Sequence, residues 1–464
     1  MPTIAAAPLR RQRLRTAIAL ATAASAVAAA ALFSPRAPQR SWVRAPSSGS
    51  TNLTAALVSS HILTGTSDTF VAISLTAPNT VVSRRSPASV AIVFDRSSSM
   101  REQPIAQAKA AAIALIDRLG PDDEITLVSY STHATVDLPL MVADERGRAR
   151  ARAAIAGLEA VGATNLSEGL QLGADELARA HTPLRRVVLI SDGSPNEGIY
   201  RRDELVRMAA TRAANGTSIT TVGVGLEFNE AIMTGIAVAG RGGYYFAEDS
   251  SALAAMFAAE LESLGQTAVV DGRLRITAGP GVEIIDVLGY SFETAADGAV
   301  LVPIADLRQN QKTKVVVRVV ATVVKPGPVT LAEVTWSYRE VGGAARALTA
   351  SATATATADV RRVEASRDRA TTVLVEEART AIAIDQAAEA YADGEAERAT
   401  EILDQRAEDS AGLAAQTGDA DLAMRIRGAT TRVRREFAAA PAPSADNGKR
   451  ALKGSRSSAY QLAR

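Results

Sequence analysis

The 464-residue sequence contains no cysteine and only three histidines. Without cysteine the chain can form no disulfide, no thiolate metal site, no cysteine-linked lipid anchor and no cysteine nucleophile. His61, His133 and His181 are far apart in the sequence, which argues against a zinc site built on imidazole ligands. The net charge is only +1, whereas a dedicated nucleic-acid-binding protein normally carries a basic face. We therefore expect no nucleic-acid partner.

The N-terminal segment has the pattern of an exported protein. Arginines between Arg10 and Arg15 precede an uncharged, alanine-rich apolar run at residues 16–33. A basic stretch before an apolar run is typical of a signal peptide, and a run of this length can also be retained as a membrane anchor. We predict that residues 1–34 are a signal peptide or an N-terminal membrane anchor. The mature domains would then be periplasmic, secreted or held on the outer side of the cytoplasmic membrane.

The first half of the remaining chain divides into three segments by composition and period. Residues 35–66 are rich in Ser, Pro, Thr and Ala, which is typical of a linker. Residues 67–82 contain the alternating stretch "TFVAISLTAP", which predicts a single strand. Residues 88–266 alternate apolar strands with amphipathic helices, which predicts an α/β, doubly wound, Rossmann-like domain with helices on both faces of a parallel sheet.

The second half of the chain changes character twice more. Residues 267–360 show a two-residue period without intervening helices, which predicts an antiparallel β-sandwich. Residues 361–438 return to helical spacing and are predicted to form helical hairpins. Residues 439–464 are polar and basic, and a disordered basic tail is the expected structure.

Three loops at the ends of predicted parallel strands carry oxygen-bearing side chains. The first follows the apolar strand "SVAIVF" and presents Asp95, Ser97 and Ser99 at alternate positions. The second loop contains Thr164, and the third places Asp192 directly after the strand "RRVVLIS". Ligands of open parallel sheets bind outside the carboxyl ends of the strands. We therefore expect these five side chains to lie close together.

This group of side chains has the chemistry of a divalent-cation site. It supplies two carboxylates and three hydroxyls, and hard oxygen ligands suit Mg²⁺, Mn²⁺ or Ca²⁺. Two carboxylates leave a divalent ion close to neutral, so the ion can still attract an anionic ligand from a partner. The alternative is that the first loop is a serine-rich turn that caps the following helix without any metal.

The order of these motifs resembles a known family. D-x-S-x-S at Asp95 after an apolar strand, the downstream Thr164, and D-G at Asp192 are together similar to a bacterial von Willebrand factor type A (VWA) domain. The resemblance covers roughly residues 89–265. In bacterial proteins of the inter-alpha-trypsin-inhibitor heavy-chain-like type, a sandwich contributed from both sides often surrounds this domain. The resemblance therefore implies that the strand at residues 69–78 pairs with the C-terminal sandwich.

The resemblance also implies a metal-ion-dependent adhesion site. Ser97 and Ser99 would ligate the ion directly, and Thr164 would join them in one state. Asp95 and Asp192 would act mainly through bound water, or directly when the domain switches.

Two positions depart from the family pattern. Arg96 stands where an apolar residue is usual, and Ser98 stands where glycine is usual. Neither change removes a ligand, although the charge of Arg96 would either repel the ion or meet an acidic partner.

The predicted function is non-enzymatic binding. The metal, Mg²⁺ or else Mn²⁺ or Ca²⁺, would capture an acidic side chain of a protein partner. The alternative is an envelope-associated structural scaffold whose sandwich and helices bind partners independently of metal. Metal-assisted hydrolysis is less favoured, because Asp95 and Asp192 are committed as ligands and leave no general base beside the ion.

Overall fold

The computed structural model describes residues 51–79, 86–247, 255–256, 260, 262–417, 419–440 and 442–462. The predicted signal peptide or anchor, residues 1–34, lies outside these described residues, as does the first part of the predicted linker. Among the helices that are described, none combines the length and the apolar character needed to cross a membrane.

The described strands are listed here in chain order. They are β1 (Asn52–Leu57), β2 (His61–Leu63), β3 (Gly65–Thr76), β4 (Ala88–Asp95), β5 (Glu124–Tyr130), β6 (Ala134–Val142), β7 (Leu184–Ser191), β8 (Thr217–Val224), β9 (Arg241–Ala247), β10 (Thr267–Ala278), β11 (Val282–Leu288), β12 (Glu293–Thr294), β13 (Val300–Pro303), β14 (Leu307–Arg308), β15 (Lys312–Val323), β16 (Gly327–Glu340) and β17 (Ala345–Thr357).

The numbered helices follow the same order. They are α1 (Gln103–Arg118), α2 (Glu145–Ala156), α3 (Leu166–Leu177), α4 (Arg202–Ala214), α5 (Glu230–Ala239), α6 (Val360–Ala365), α7 (Arg369–Ala392), α8 (Ala396–Thr417), α9 (Ala420–Ala438) and α10 (Asp446–Leu462).

The α/β layer is a six-stranded sheet in the order β6-β5-β4-β7-β8-β9. All neighbouring strands are parallel except the edge pair β5–β6. Every residue of β4 is buried, because successive side chains point to opposite faces and both faces are covered. Ile92 packs in one core with α1, and Val93 packs in the other with α3. The strand order reverses between β4 and β7, which is where such sheets bind ligands.

The antiparallel strands form two sheets that share one core. One sheet has the order β1-β3-β15-β11, and the other has the order β12-β13-β10-β16-β17-β2 with β14 beside β10. The prediction that the strand before the α/β layer joins the C-terminal sandwich is confirmed, because β3 pairs along its length with β15. Ile73 of β3 and Trp336 of β16 are both fully buried in the shared core. The α/β layer is therefore inserted between two sandwich strands.

The expected linker, residues 35–66, was wrong for its second part. Residues 52–63 form β1 and β2, and β3 already begins at Gly65. Leu53 and Ile62 are buried in the sandwich core. The Ser- and Thr-rich segment therefore contains apolar residues that pack inside the sandwich. Because β1 is stabilised by pairing with β3, its structure depends on contacts outside the segment itself.

The expected disordered tail, residues 439–464, was also wrong. Residues 446–462 form helix α10, in which Ala451, Leu452 and Ala459 pack with Tyr391 of α7. The tail is short of apolar residues, so only docking against another element can order it. Its contacts bear directly on the site described below.

Candidate metal centre

Asp95 is the last residue of β4 and is fully buried at the carboxyl edge of the sheet. Its Oδ1 accepts a hydrogen bond from the backbone N–H of Ser97 at 2.8 Å. Its Oδ2 accepts one from the hydroxyl of Ser191, at the end of β7, at 2.7 Å. Both carboxylate oxygens are thus engaged by the protein, and the first loop is tied to the neighbouring strand.

Ser97 and Ser99 connect the first loop to the third. Their hydroxyl oxygens are 3.0 Å apart, and the Ser99 hydroxyl donates to Oδ1 of Asp192 at 2.7 Å. Ser97 is buried, whereas Ser99 is exposed to solvent. The row of hydrogen-bonded oxygens therefore runs from the buried Ser97 to the solvent-exposed Ser99.

Thr164 precedes α3 and is held from both sides by Asn196. The Thr164 N–H donates to Oδ1 of Asn196 at 2.8 Å, and the Thr164 carbonyl accepts from the Asn196 N–H at 3.1 Å. A Cβ built on Gly193 would lie 3.3 Å from the Ser99 hydroxyl oxygen and 3.9 Å from that of Thr164. The glycine after Asp192 thus leaves room for these hydroxyls to approach the same point.

In the structure, the negative charges of Asp95 and Asp192 are electrostatically unfavourable. Burial raises the pKa of Asp192 to about 7, and the charge of Asp95 adds to the rise while the Ser99 hydroxyl opposes it. Burial also raises the pKa of Asp95, against the hydrogen bonds from Ser97 and Ser191. Within the described part of the chain, no lysine or arginine pairs with either group. A bound cation would relieve both effects.

The oxygen set fits a hard divalent cation. The described residues contain no group of three or more His, Cys, Asp or Glu side chains that could hold a metal. A metal here would therefore rest on hydroxyls as much as on carboxylates, with Asp95, Ser97, Ser99, Thr164 and Asp192 gathered at one edge. Such a donor set suits Mg²⁺ and excludes the soft metals that require sulfur.

The family follows from the strand order, from these loops at its switch point, and from a direct match. The family model of the von Willebrand factor type A domain matches residues 89–259. The chain contains a VWA domain. Members of this family generally mediate protein–protein interactions and often bind a divalent metal at this edge.

Relatives of known sequence match part of the chain. The chain is 27% identical over 198 residues to the uncharacterized protein sll0103 of Synechocystis sp., covering 42% of this chain and 46% of that protein. It is 28% identical over 165 residues to the bovine inter-alpha-trypsin inhibitor heavy chain H4, covering 34% of this chain and 18% of that protein. The matches therefore span less than half of the length of each relative.

Solved structures share more of the architecture. The structure titled von Willebrand factor type A from Catenulispora acidiphila superposes with a TM-score of 0.67 at 21% identity, covering 82% of this chain and 90% of that one. The ArnB paralog VWA2 from Sulfolobus acidocaldarius gives a TM-score of 0.59 at 16% identity, covering 89% and 99%. These likenesses show a shared fold that extends well beyond the VWA domain.

Sequence reasoning missed two residues that position the VWA site. Asn196 stands in the same "ISDGSPNEG" loop as Asp192, and its side chain binds the backbone of Thr164. Ser191, the last residue of β7, holds Asp95 in place. The signal for Asn196 was its residue type, because Asn side chains commonly bind nearby backbone groups in loops.

Arg96 does not pair with the site carboxylates of the VWA domain. Its Nε donates to the hydroxyl of Ser129 at the end of β5, at 3.1 Å. The neighbouring Ser98 donates its backbone N–H to the carbonyl of Gly162 at 3.0 Å. Both departures from the family pattern are therefore accommodated by contacts with adjacent loops.

Proposed function

We propose that this protein is a binding protein whose VWA domain uses a divalent cation, Mg²⁺ in the first instance, to capture an acidic side chain of a protein partner. The observation that carries the proposal is the contact of the Ser97 and Ser99 hydroxyls with each other and with the carboxylate of Asp192, at an edge where no cationic side chain of the described residues pairs with Asp95 or Asp192. When bound, the ion would supply the positive charge that this edge lacks. No catalytic role is proposed.

Each side chain has a distinct task in this proposal. Ser97 and Ser99 hold the ion directly, and Thr164 is positioned by Asn196 to join them. Asp95 acts through water, since its two oxygens already accept hydrogen bonds from the protein. Asp192 borders the opening and compensates the charge of the ion.

Exposed apolar side chains around the centre support a protein partner. Val161, Ile199 and Tyr200 are 48%, 36% and 60% exposed. The N–H of Val161 donates to the carbonyl of Arg96, in the loop that carries Ser97 and Ser99. Ile199 and Tyr200 follow the loop that holds Asn196. Apolar and aromatic groups beside a polar anchor are typical of protein interfaces.

The alternative is a scaffold that binds its partners without metal. A groove of about 870 Å³ between the sandwich and helices α7 and α8 favours it, because the groove is large enough to accept a ligand. Its walls include Phe70, Leu288 and Ile402 together with charged residues. Partner binding that survives a chelator would support this alternative, and binding that disappears would support the metal-dependent function.

The deciding experiment for the metal centre is thermal unfolding of the full chain with EDTA or increasing Mg²⁺. A cation that binds only the folded state stabilises it by roughly 2.7 kcal/mol at a hundredfold excess over its Kd. We expect this rise in wild type and its loss in Ser99→Ala and Asp192→Ala. Ser98→Ala is the matched control in the same loop and should respond as wild type does. A wild-type protein that ignores Mg²⁺, Mn²⁺ and Ca²⁺ alike would contradict the proposal.

Export from the cytoplasm is part of the same proposal. It is supported by the basic segment and the apolar run at residues 16–33. N-terminal sequencing of the protein recovered from cell fractions tests it. A mature N-terminus beyond residue 34 indicates cleavage, an intact one in the membrane fraction indicates an anchor, and an intact one in the cytoplasm contradicts export.

A further inference from the structure

Helix α10 links the helical region to the loop that follows β8 in the VWA domain. One side of the helix is anchored on α7 through Ala451, Leu452 and Ala459. From the other side Lys449, Lys453 and Tyr460 reach the VWA domain. The helix therefore contacts two regions of the molecule at once.

Lys453 makes the central contact and is almost completely buried, with 1% of its surface exposed. Its Nζ donates to the carbonyl of Phe228 at 3.1 Å and lies 3.2 Å from Oε2 of Glu230. The same nitrogen is 3.9 Å from the centre of the Phe228 ring, which is a favourable cation–π distance. One turn earlier in the helix, Lys449 forms an ion pair with Glu227.

The loop gripped in this way lies at the same edge of the sheet as the metal centre. It follows the carboxyl end of β8, which is the next strand after β7. Phe228 lies over Gly223, where an added Cβ would come within 2.2 Å of its ring. Strand β8 pairs in parallel with β7, so the loop that contains Glu227 and the loop that contains Asp192 follow adjacent strand ends. The helix therefore pairs with acidic residues at the carboxyl edge that carries the candidate site.

Several features destabilise the contact between α10 and the VWA domain, and they lower the free energy needed to detach the helix. Arg456 Nε is buried 3.9 Å from Oε1 of Glu230 and has no hydrogen-bond partner among the described residues. Burial of Lys453 lowers its pKa despite the nearby charge of Glu230. A cavity of about 730 Å³ is lined in part by Arg456 and Tyr460. Desolvated charges and incomplete packing are typical of segments that open locally.

We propose that α10 is a releasable clamp that lowers the affinity of the metal centre for its cation while it is docked. The inference rests on the proposed function, since it concerns the same ion. Docked, Lys449 and Lys453 neutralise Glu227 and Glu230, and the cation must bind against two added positive charges. When the helix is released, Glu227 and Glu230 are no longer paired with these lysines and can attract the cation. Because linkage is reciprocal, cation binding then favours release of the helix.

The test is a calorimetric titration of Mg²⁺ into the full chain at low salt, comparing wild type with Lys449→Met. Removing this charge should tighten the Mg²⁺ dissociation constant about two- to fivefold, as expected for a partly screened charge near the site. Lys325→Met is the matched control, since this exposed lysine lies in the turn between β15 and β16 of the sandwich. Lys449→Arg keeps the pair with Glu227 and should restore the wild-type constant.

Hydrogen exchange of α10 and of residues 225–229 provides the second readout. Lys449→Met should speed their exchange without metal, and Mg²⁺ should speed exchange of α10 in wild type. Equal constants for wild type and Lys449→Met, or equal changes in Lys449→Met and Lys325→Met, would overturn the clamp. Loss of Mg²⁺ binding in Asp192→Ala separately decides the metal centre itself. A wild-type protein that does not bind Mg²⁺ contradicts the metal centre, whether or not Lys449→Met binds the ion. If neither binds, both proposals fail.

Discussion

The VWA sheet has an amino edge, where its parallel strands begin, and a carboxyl edge, where they end. Both edges contain buried charged residues, but the charges are arranged in opposite ways. At the amino edge, Arg186 is buried between Glu260 and Asp306, at 2.6 Å and 3.2 Å. Although burial opposes it, these two acids raise the pKa of Arg186. At the carboxyl edge, Asp95 and Asp192 face each other without such a partner in the described chain.

Within one sheet, the amino edge contributes to stability and the carboxyl edge carries the candidate binding site. The amino edge meets the sandwich, since Asp306 lies between β13 and β14, and there Arg186 opposes the burial that raises the pKa of Asp306. At the carboxyl edge, the described residues place no lysine or arginine against Asp95 or Asp192. Removing one partner of a buried ion pair is strongly destabilising, whereas buried acids with raised pKa values in a cleft are candidates for a functional site.

The largest effect should follow from breaking the amino edge. Arg186→Met leaves Glu260 and Asp306 buried without their cation, so we expect a loss of about 3–5 kcal/mol in the free energy of unfolding. Urea denaturation measures it. Arg207→Met is the control, because its pair with Asp203 is exposed to solvent and its loss should leave the stability nearly unchanged. A small loss in Arg186→Met would show that the two edges are alike.

The next prediction compares one carboxylate from each edge in the presence of EDTA. Asp306→Asn should lower the free energy of unfolding by about 2 kcal/mol, because the loss of one of the two carboxylates beside buried Arg186 outweighs the relief of the burial that raises the pKa of Asp306. Asp192→Asn should leave the stability unchanged or raise it by about 1 kcal/mol, because it removes a buried charge that has a hydrogen bond from Ser99 but no cationic partner among the described residues. Denaturation of both variants under identical conditions measures the difference. Similar losses of stability in both variants would contradict the difference between the amino and carboxyl edges.

A smaller effect is expected at the support of Thr164. Asn196→Ala removes the side-chain acceptor for the Thr164 N–H, while the exposed position of Asn196 spares the core. We expect Mg²⁺ to bind about fivefold more weakly, roughly 1 kcal/mol, with little change in stability without metal. Calorimetric titration measures the affinity, and Ser194→Ala in the same loop is the control. An equal loss of stability in EDTA would mean that Asn196 supports the fold and not the site.

The smallest effect is a pH dependence at the amino edge. Burial would raise the pKa of Glu124, but hydrogen bonds from Ser89 and His181 outweigh it and lower the pKa. The resulting stabilisation is present above the ordinary pKa of 4.5 and is lost as the pH falls through the folded-state value. We expect less than about 1 kcal/mol, measured as unfolding between pH 3 and 6. Glu124→Gln should flatten this part of the profile, and an unchanged profile would contradict the assignment.

The VWA domain could be predicted from sequence because its signals are local. Each buried strand is a continuous apolar run, and the oxygen-bearing residues follow those strands directly, so Asp95 and Asp192 were found at once. Thr164 was named as a candidate from its loop before a predicted helix, and the family resemblance then implied its role as a ligand.

The remaining features depend on distant contacts. Strand β1 has an unremarkable composition and becomes ordered by pairing with β3. Helix α10 contains two buried charged residues, Lys453 and Arg456, whose partners are far away in sequence. Asn196 could be recognised as a support only once Thr164 was placed beside it. No local pattern encodes these contacts.

The insertion of the VWA domain into the sandwich has a mechanical consequence. The chain enters the domain from β3 and leaves it into β10, and these strands belong to different sheets. A partner that pulls on the carboxyl edge therefore loads both sheets at once. Strand β3 lies between β1 and β15, and its register with β15 extends from Gly65 to Thr76. Force along such a strand shears many hydrogen bonds together instead of opening them one by one, so the domain is mounted to resist tension.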